Sequence, residues 1–306
     1  GGLLRRLRGT GARVTVVAPD DYLLYTPLLP EVAGGTIDPR HIAVPLARLL
    51  PGAELVNGLV DAVGLSARTA TLDDGASLRW DRLVLAPGSV TRLHDVPGAE
   101  EHALGLKSLA QALYLRDHLI GCLEDSEREQ DAARRDAMRR VVVVGASYAG
   151  TELVSQLRAL ADSVATHRGF GPASVRFLLL DVADRVMPEI GESLGRRALE
   201  VLRSRGVDVR LGTTVDHVEA DSVTLDDGTE VPTRTVAWVA GVRSNPLVGR
   251  TGLQLRGGRI LVDAALIALA ANMGTLFDRA PGRTIKVALV AWVPIAIVAG
   301  ASAVGL

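Results

Sequence analysis

The chain is poor in cysteine. Cys122 stands alone among 306 residues, so no disulfide framework, cysteine zinc site or redox-active cysteine pair can be built from it. On a helix it reads as a small apolar residue. The six histidines show no spacing that would set a group of them on one metal ion. An excess of charge is missing as well. The formal net charge is -1, which gives no electrostatic argument for a nucleic-acid partner. The chain opens on Gly1-Gly2-Leu3-Leu4 with no initiator methionine and no signal-peptide pattern. What is present is apolar: 48% hydrophobic against 23% charged residues predicts a folded chain, and its length allows two domains with cores of their own.

An internal repeat organises the middle of the chain. Residues 70–88 read ATLDDGASLRWDRLVLAPG and residues 223–241 read VTLDDGTEVPTRTVAWVAG, aligned without a gap. In each copy an apolar strand runs into Asp-Asp-Gly, a hairpin signal because the turn needs positive φ. Upstream, the buried-strand run Arg13–Val17 corresponds to Val175–Leu180. Strands alternating with helices predict a parallel sheet with right-handed crossovers. Two such units predict an α/β fold of two Rossmann-like dinucleotide-binding domains, one inserted in the other. The first copy lacks its opening strand, and Gly1-Gly2 read as the tail of its Gly-rich turn.

The second copy carries the sharpest local motif. A four-valine strand, Val141–Val144, runs into Gly145-Ala146-Ser147-Tyr148-Ala149-Gly150 and then a helix with Leu153 and Leu157. Gly145 permits a tight turn, Gly150 permits close helix packing, and the helix N-terminus offers free amides and a positive dipole end to a pyrophosphate. Ser147 takes the place of the usual middle glycine. Asp181 follows Leu180 at the end of the next strand. It is a candidate acceptor for two ribose hydroxyls and would repel a 2′-phosphate, which favours NADH over NADPH. The alternative is that Asp181 opens a solvated loop.

At this point a family resemblance becomes specific. Asp21-Tyr22-Leu23-Leu24-Tyr25-Thr26-Pro27-Leu28-Leu29-Pro30, then Gly35-Thr36-Ile37 and Arg40-His41-Ile42, resemble the segment after the second strand of type II NADH dehydrogenases. In the family's order, Leu83–Ser89 resemble the Ala-x-Gly strand of flavoprotein disulfide-reductase-like folds that passes near FAD, Pro97-Gly98 with His102-Ala103-Leu104 and Leu106-Lys107 resemble the crossover between domains, and Trp238–Arg243 with Asn245-Pro246-Leu247 resemble the second-domain signature near the nicotinamide. The resemblance runs from about Gly1 to Asp263 and extends to flavoprotein disulfide-reductase-like oxidoreductases. It implies FAD and NADH as cofactors and a membrane quinone as acceptor. For FAD it implies Gly1, Gly2, Thr26, Pro27, Leu28, Ala86, Pro87 and Gly88. For NADH it implies Gly145, Ser147, Gly150, Asp181, Ala240 and Gly241, with Asn245-Pro246-Leu247 near the nicotinamide. Glu152, in the first turn of the helix, is implied as the catalytic residue that helps place NADH against the flavin. A carboxylate there also simply suits the helix dipole. The family's second glutamate on this helix is Gln156 here. The expected domains are residues 1–110 for FAD, 111–250 for NADH, 251–263 returning to the FAD domain, and a divergent tail over 264–306. A homodimer is among the expected assemblies.

The tail departs from the family. No Gly-Asp motif follows position 263, so the chain as given is expected to bind FAD poorly. From Ile285 to Leu306 nearly every residue is apolar, interrupted by Lys286 and Pro294. That is about the length needed to cross a bilayer, and it predicts a C-terminal transmembrane helix over 285–306. Arg279, Arg283 and Lys286 at its start place the nucleotide domains on the cytoplasmic side of the cell membrane. A buried helix or an out-of-frame tail are the alternatives to a membrane span. A ferredoxin-type reductase, or a non-catalytic fragment that keeps only nucleotide binding, are the alternatives to a quinone enzyme.

Overall fold

The computed structural model describes residues 10–93, 95–171 and 174–260, and the backbone of 296–300. The chain is α/β and divides into two compact units. One comprises Gly1–Tyr25, Ile42–Val90 and Arg243–Leu306; the other comprises Thr26–His41 and Thr91–Val242.

The first unit is built on β1 (Arg13–Ala18), which pairs parallel with β2 (Glu54–Asn57), Thr15 opposite Glu54 and Ala18 opposite Asn57. Val14, Val16, Val17 and Ala18 are all buried, because a strand covered on both faces needs a continuous apolar run. Thr15, also buried, satisfies its hydroxyl by donating to Glu54 Oε2 at 2.9 Å. On its other edge β1 pairs antiparallel with a strand at Ala296–Gly300. This corrects the expected helix over 285–306 at those five residues. The unpaired N–H and C=O groups along an edge of β1 call for ladder partners, and an extended segment supplies them where a helix cannot. The rest of that run lies outside the described residues. Among the described residues no helix is long and apolar enough to cross a membrane.

Both copies of the sequence repeat fold as the same device. Thr69–Leu72 and Ser77–Arg79 form one hairpin; Ser222–Leu225 and Glu230–Pro232 form the other. Gly75 has φ +85° and Gly228 has φ +80°, the left-handed conformation that Asp-Asp-Gly supplies at little steric cost. The middle aspartates act alike: Asp74 accepts from Ala76 N at 2.9 Å and Asp227 from Thr229 N at 2.8 Å.

The second unit carries a five-stranded parallel sheet. Among its helices and strands, in chain order, are α1 (Leu29–Ala33), α2 (Leu109–Ser126), β3 (Arg140–Val144), α3 (Tyr148–Arg168), β4 (Arg176–Asp181), β5 (Val207–Leu211) and β6 (Thr235–Trp238). The sheet order is β5-β4-β3-β6, followed by the short strand Leu104–Gly105. Val142, Val144, Leu178, Leu180 and Trp238 pack with the second hairpin on one face. Ser108 starts α2 with a capping box to Gln111, which satisfies two open amides at once. Leu115, Leu119 and Leu123 then fall on one stripe of α2 and are fully buried, each stabilising the unit by about 1.5–3 kcal/mol. Helix α3 stops at Gly169, whose φ of +83° closes it in the left-handed conformation. Helix α1 packs on both α2 and α3.

Candidate functional site

The second unit gathers its predicted residues at the carboxyl ends of β3, β4 and β6. β3 ends at Val144 and runs into Gly145, with φ +109°. A Cβ on Gly145 would stand 2.8 Å from the Ala240 Cα. A Cβ on Gly150 would stand 1.7 Å from the Gly145 carbonyl oxygen. Glycine is required at both positions by close approach of backbone to backbone. The turn is held further: Gly145 N donates to Leu180 O at 2.7 Å, and Met187 N donates to Ala146 O at 2.7 Å. Ser147 is the N-cap of α3 and makes no side-chain capping bond. The first-turn amides of α3, which no intrahelical bond can satisfy, open at this turn.

Asp181 closes the turn from β4. One carboxylate oxygen accepts from Ala146 N and the other from Ala183 N at 2.8 Å. Each oxygen keeps a further lone pair for a second donor. Val182 beside it is 76% exposed, so the strand end opens to solvent. On the opposite side Ala240 leans on Gly145. Gly241, with φ +75°, accepts from Arg92 N at 3.3 Å, and Trp238 Nε1 anchors the same loop by donating to Arg92 O at 3.0 Å. Gly145, Ser147, Gly150, Asp181, Ala240 and Gly241 thus share one end of one sheet.

Glu152 lies exposed on the first turns of α3. Displacement of part of its water shell pushes its carboxyl above the usual range, and the charge of Glu31 on α1 adds to the effect. Thr26, Pro27 and Leu28 form a 3-10 turn that leads into α1, in the same unit. Gly1 and Gly2 lie outside the described residues.

The first unit has a cavity of about 110 Å³. Ala86 and Pro87 line it, as expected residues; Val17, Gly58, Leu59 and Val60 line it without having been foreseen. Gly88 follows with φ +70°. Asn245 and Leu247, read from the sequence as nicotinamide neighbours, also line this cavity. Asn245 Nδ2 donates to Pro87 O at 3.0 Å, while its Oδ1 accepts from Leu247 N at 2.9 Å. The lining is mostly apolar, which suits a flat ring more than a charged group. The signal that could have found Val17 and Gly58 is their place at or just after the carboxyl ends of β1 and β2, where ligands of open α/β sheets sit.

Cys122 lies half-buried on α2, and burial pushes its thiol up, away from thiolate chemistry. Among the described residues no group of His, Cys, Asp and Glu could hold a metal ion.

A parallel sheet with a glycine-pinched turn, a helix N-terminus above it and an acid at the neighbouring strand end is the architecture of a dinucleotide-binding protein. The chain belongs to the pyridine nucleotide-disulphide oxidoreductase family, whose signature matches residues 2–273. It is 31% identical over 287 residues to the type II NADH:quinone oxidoreductase NdhA of Mycobacterium tuberculosis, covering 87% of this chain and 61% of that protein. It is 28% identical over 272 residues to a probable NADH dehydrogenase of Dictyostelium discoideum, covering 85% and 60%. The chain therefore spans about three fifths of the length of these relatives. The structure of NDH2 from Plasmodium falciparum in complex with NADH shares the fold, with a TM-score of 0.75 at 17% identity over 78% of this chain and 52% of that one.

Proposed function

We propose that the protein passes a hydride from NADH to a bound FAD and the electrons on to a membrane quinone. The observation that carries the reading is the contact of Gly150 with Gly145, which sets the start of α3 against the end of β3 with Asp181 beside it. That cradle is filled by any Cβ and fits a pyrophosphate. Gly145, Ser147 and Gly150 would take the phosphates of NADH on backbone amides, and Asp181 would accept the adenine-ribose hydroxyls. A 2′-phosphate would meet the Asp181 carboxylate, so NADH is preferred to NADPH. Ala240 and Gly241 would border the same nucleotide.

FAD fits the first unit at Ala86, Pro87 and Gly88, where the apolar cavity with Val17 and Asn245 would take a flat ring. Thr26, Pro27 and Leu28 keep the flavin-side role that the resemblance gives them. When bound, FAD supplies a two-electron acceptor that can be reoxidised by a quinone. Glu152 would orient NADH and hold or release a proton at the start of α3. We place the working protein at the cytoplasmic side of the membrane that holds its quinone, and include a homodimer in the reading.

Nucleotide titration tests this assignment. Protein fluorescence should respond to NADH at lower concentrations than to NADPH, and Asp181→Ala should abolish the difference. Equal responses in the unaltered protein would overturn the ribose role of Asp181.

A further inference from the structure

The parallel sheet of the second unit ends on β5. This strand pairs with β4 on one side, and among the described residues no strand pairs with its other side. An edge strand leaves a row of N–H and C=O groups without ladder partners. In the first unit such a row along β1 is taken up by the strand at Ala296–Gly300.

β5 reads Val207-Asp208-Val209-Arg210-Leu211. Val207 and Val209 are buried. Asp208 and Arg210 alternate with them, and their side chains are 57% and 40% exposed. Side chains two apart on a strand share a face of the sheet. Edge charges of one sign repel a second copy of the strand. Charges of opposite sign two residues apart do the reverse, because the strand is then complementary to its own antiparallel copy. With Val209 on the two-fold axis, Asp208 of each copy stands opposite Arg210 of the other. Sliding one copy by two residues sets Asp208 against Asp208, or Arg210 against Arg210. The charges thus select one register.

We propose that the outer edge of β5 is the surface by which two copies of this chain pair, antiparallel about Val209, joining their sheets into one. The contact is isologous and closes on itself, because each copy uses the same edge. The sheet's other end is the two-residue strand Leu104–Gly105, which is too short to carry a comparable ladder. Within one copy Arg210 Nε donates to Asp208 Oδ2 at 3.1 Å. An exposed pair of that kind contributes little, so exchanging it for partners on the second copy costs little. The ladder bonds are gained, and the charges fix orientation and register. The proposal deepens the homodimer of the proposed function by naming its surface, and it does not depend on the redox reaction.

Sedimentation velocity over a dilution series of the full chain reads the dimer. The wild type should pass from monomer to dimer as concentration rises. Asp208→Arg leaves two positive charges on the edge and Arg210→Asp leaves two negative ones, and each variant alone should lose the dimer. An equimolar mixture of the two should regain it, because each positive edge then meets a negative one. Both variants lack the ion pair within the copy, so mixing would not repair a merely structural defect. The double exchange of Asp208→Arg with Arg210→Asp restores both the inner pair and the complementarity, and should dimerise even where a single variant fails to fold. A wild type that is monomeric at every concentration overturns this proposal and the homodimer together. Single variants that dimerise like the wild type, or a folded mixture that stays monomeric, overturn this surface alone. Flavin reduction by NADH is followed on the same samples: a chain that dimerises as described but never reduces flavin supports the surface and contradicts the redox reading.

Discussion

Gly150 lies so close to Gly145 that a Cβ on it would fall 1.7 Å from the Gly145 carbonyl oxygen. No side-chain rotation relieves that contact, because both partners are backbone. Gly150→Ala should force α3 away from β3 and cost about 1–3 kcal/mol, the usual range for overpacking. The loss should appear as a lower Tm together with weaker NADH binding. A variant with unchanged Tm and affinity would show that the turn yields where the structure has it tight.

Asp181 is both a structural acceptor and the proposed ribose ligand, and two substitutions separate the roles. Asp181→Ala leaves the amides of Ala146 and Ala183 without their acceptor, at about 1–3 kcal/mol for a buried unsatisfied group. Asp181→Asn keeps an acceptor oxygen for one of the two amides, turns an NH2 toward the other, and removes the charge. It should hold stability nearer the wild type while narrowing the preference for NADH over NADPH. Calorimetry and nucleotide titration on both variants check this.

Much of this arrangement is legible in the sequence, because its determinants are local. Asp-Asp-Gly fixes each hairpin through the positive φ of Gly75 and Gly228, and a four-valine strand before Gly145 announces a buried parallel strand. The α1–α3 seam is not legible. Thr36 and Gln156 meet across 120 positions of sequence, and no periodicity in either segment reports that meeting. The bond from the Asn245 amide to Pro87 O is likewise not legible, being a tertiary contact between segments distant in the chain. The apolar run at the end reads as a span by length alone, whereas 296–300 pairs with β1; hydropathy does not distinguish a buried strand from a helix.

Asn245 joins two elements of the first unit. Asn245→Ala removes the bond to Pro87 and the cap on Pro246–Arg250. A lost cap costs about 1 kcal/mol. The variant should melt earlier, and it should retain less added FAD through gel filtration because Pro87 lines the cavity. Melting and FAD retention equal to the wild type would contradict this account.

The raised carboxyl of Glu152 has a sign that stability measurements can read. An acid whose folded pKa lies above its unfolded value favours the fold at low pH. That contribution is present below the unfolded carboxyl range and is lost as pH rises through the folded value. Glu152→Gln removes the loss. Its Tm relative to wild type should therefore be higher near neutral pH than at acid pH. A Tm difference independent of pH would mean that Glu152 titrates as an ordinary surface acid.

The central claim is electron flow from NADH through flavin to quinone, and anaerobic absorbance spectroscopy of the FAD-supplemented protein tests it most directly. The account predicts that NADH bleaches the flavin band, that NADPH does so more weakly, and that a soluble quinone then restores it. A flavin band that NADH leaves unchanged, or one that NADH bleaches and quinone cannot restore, would contradict it.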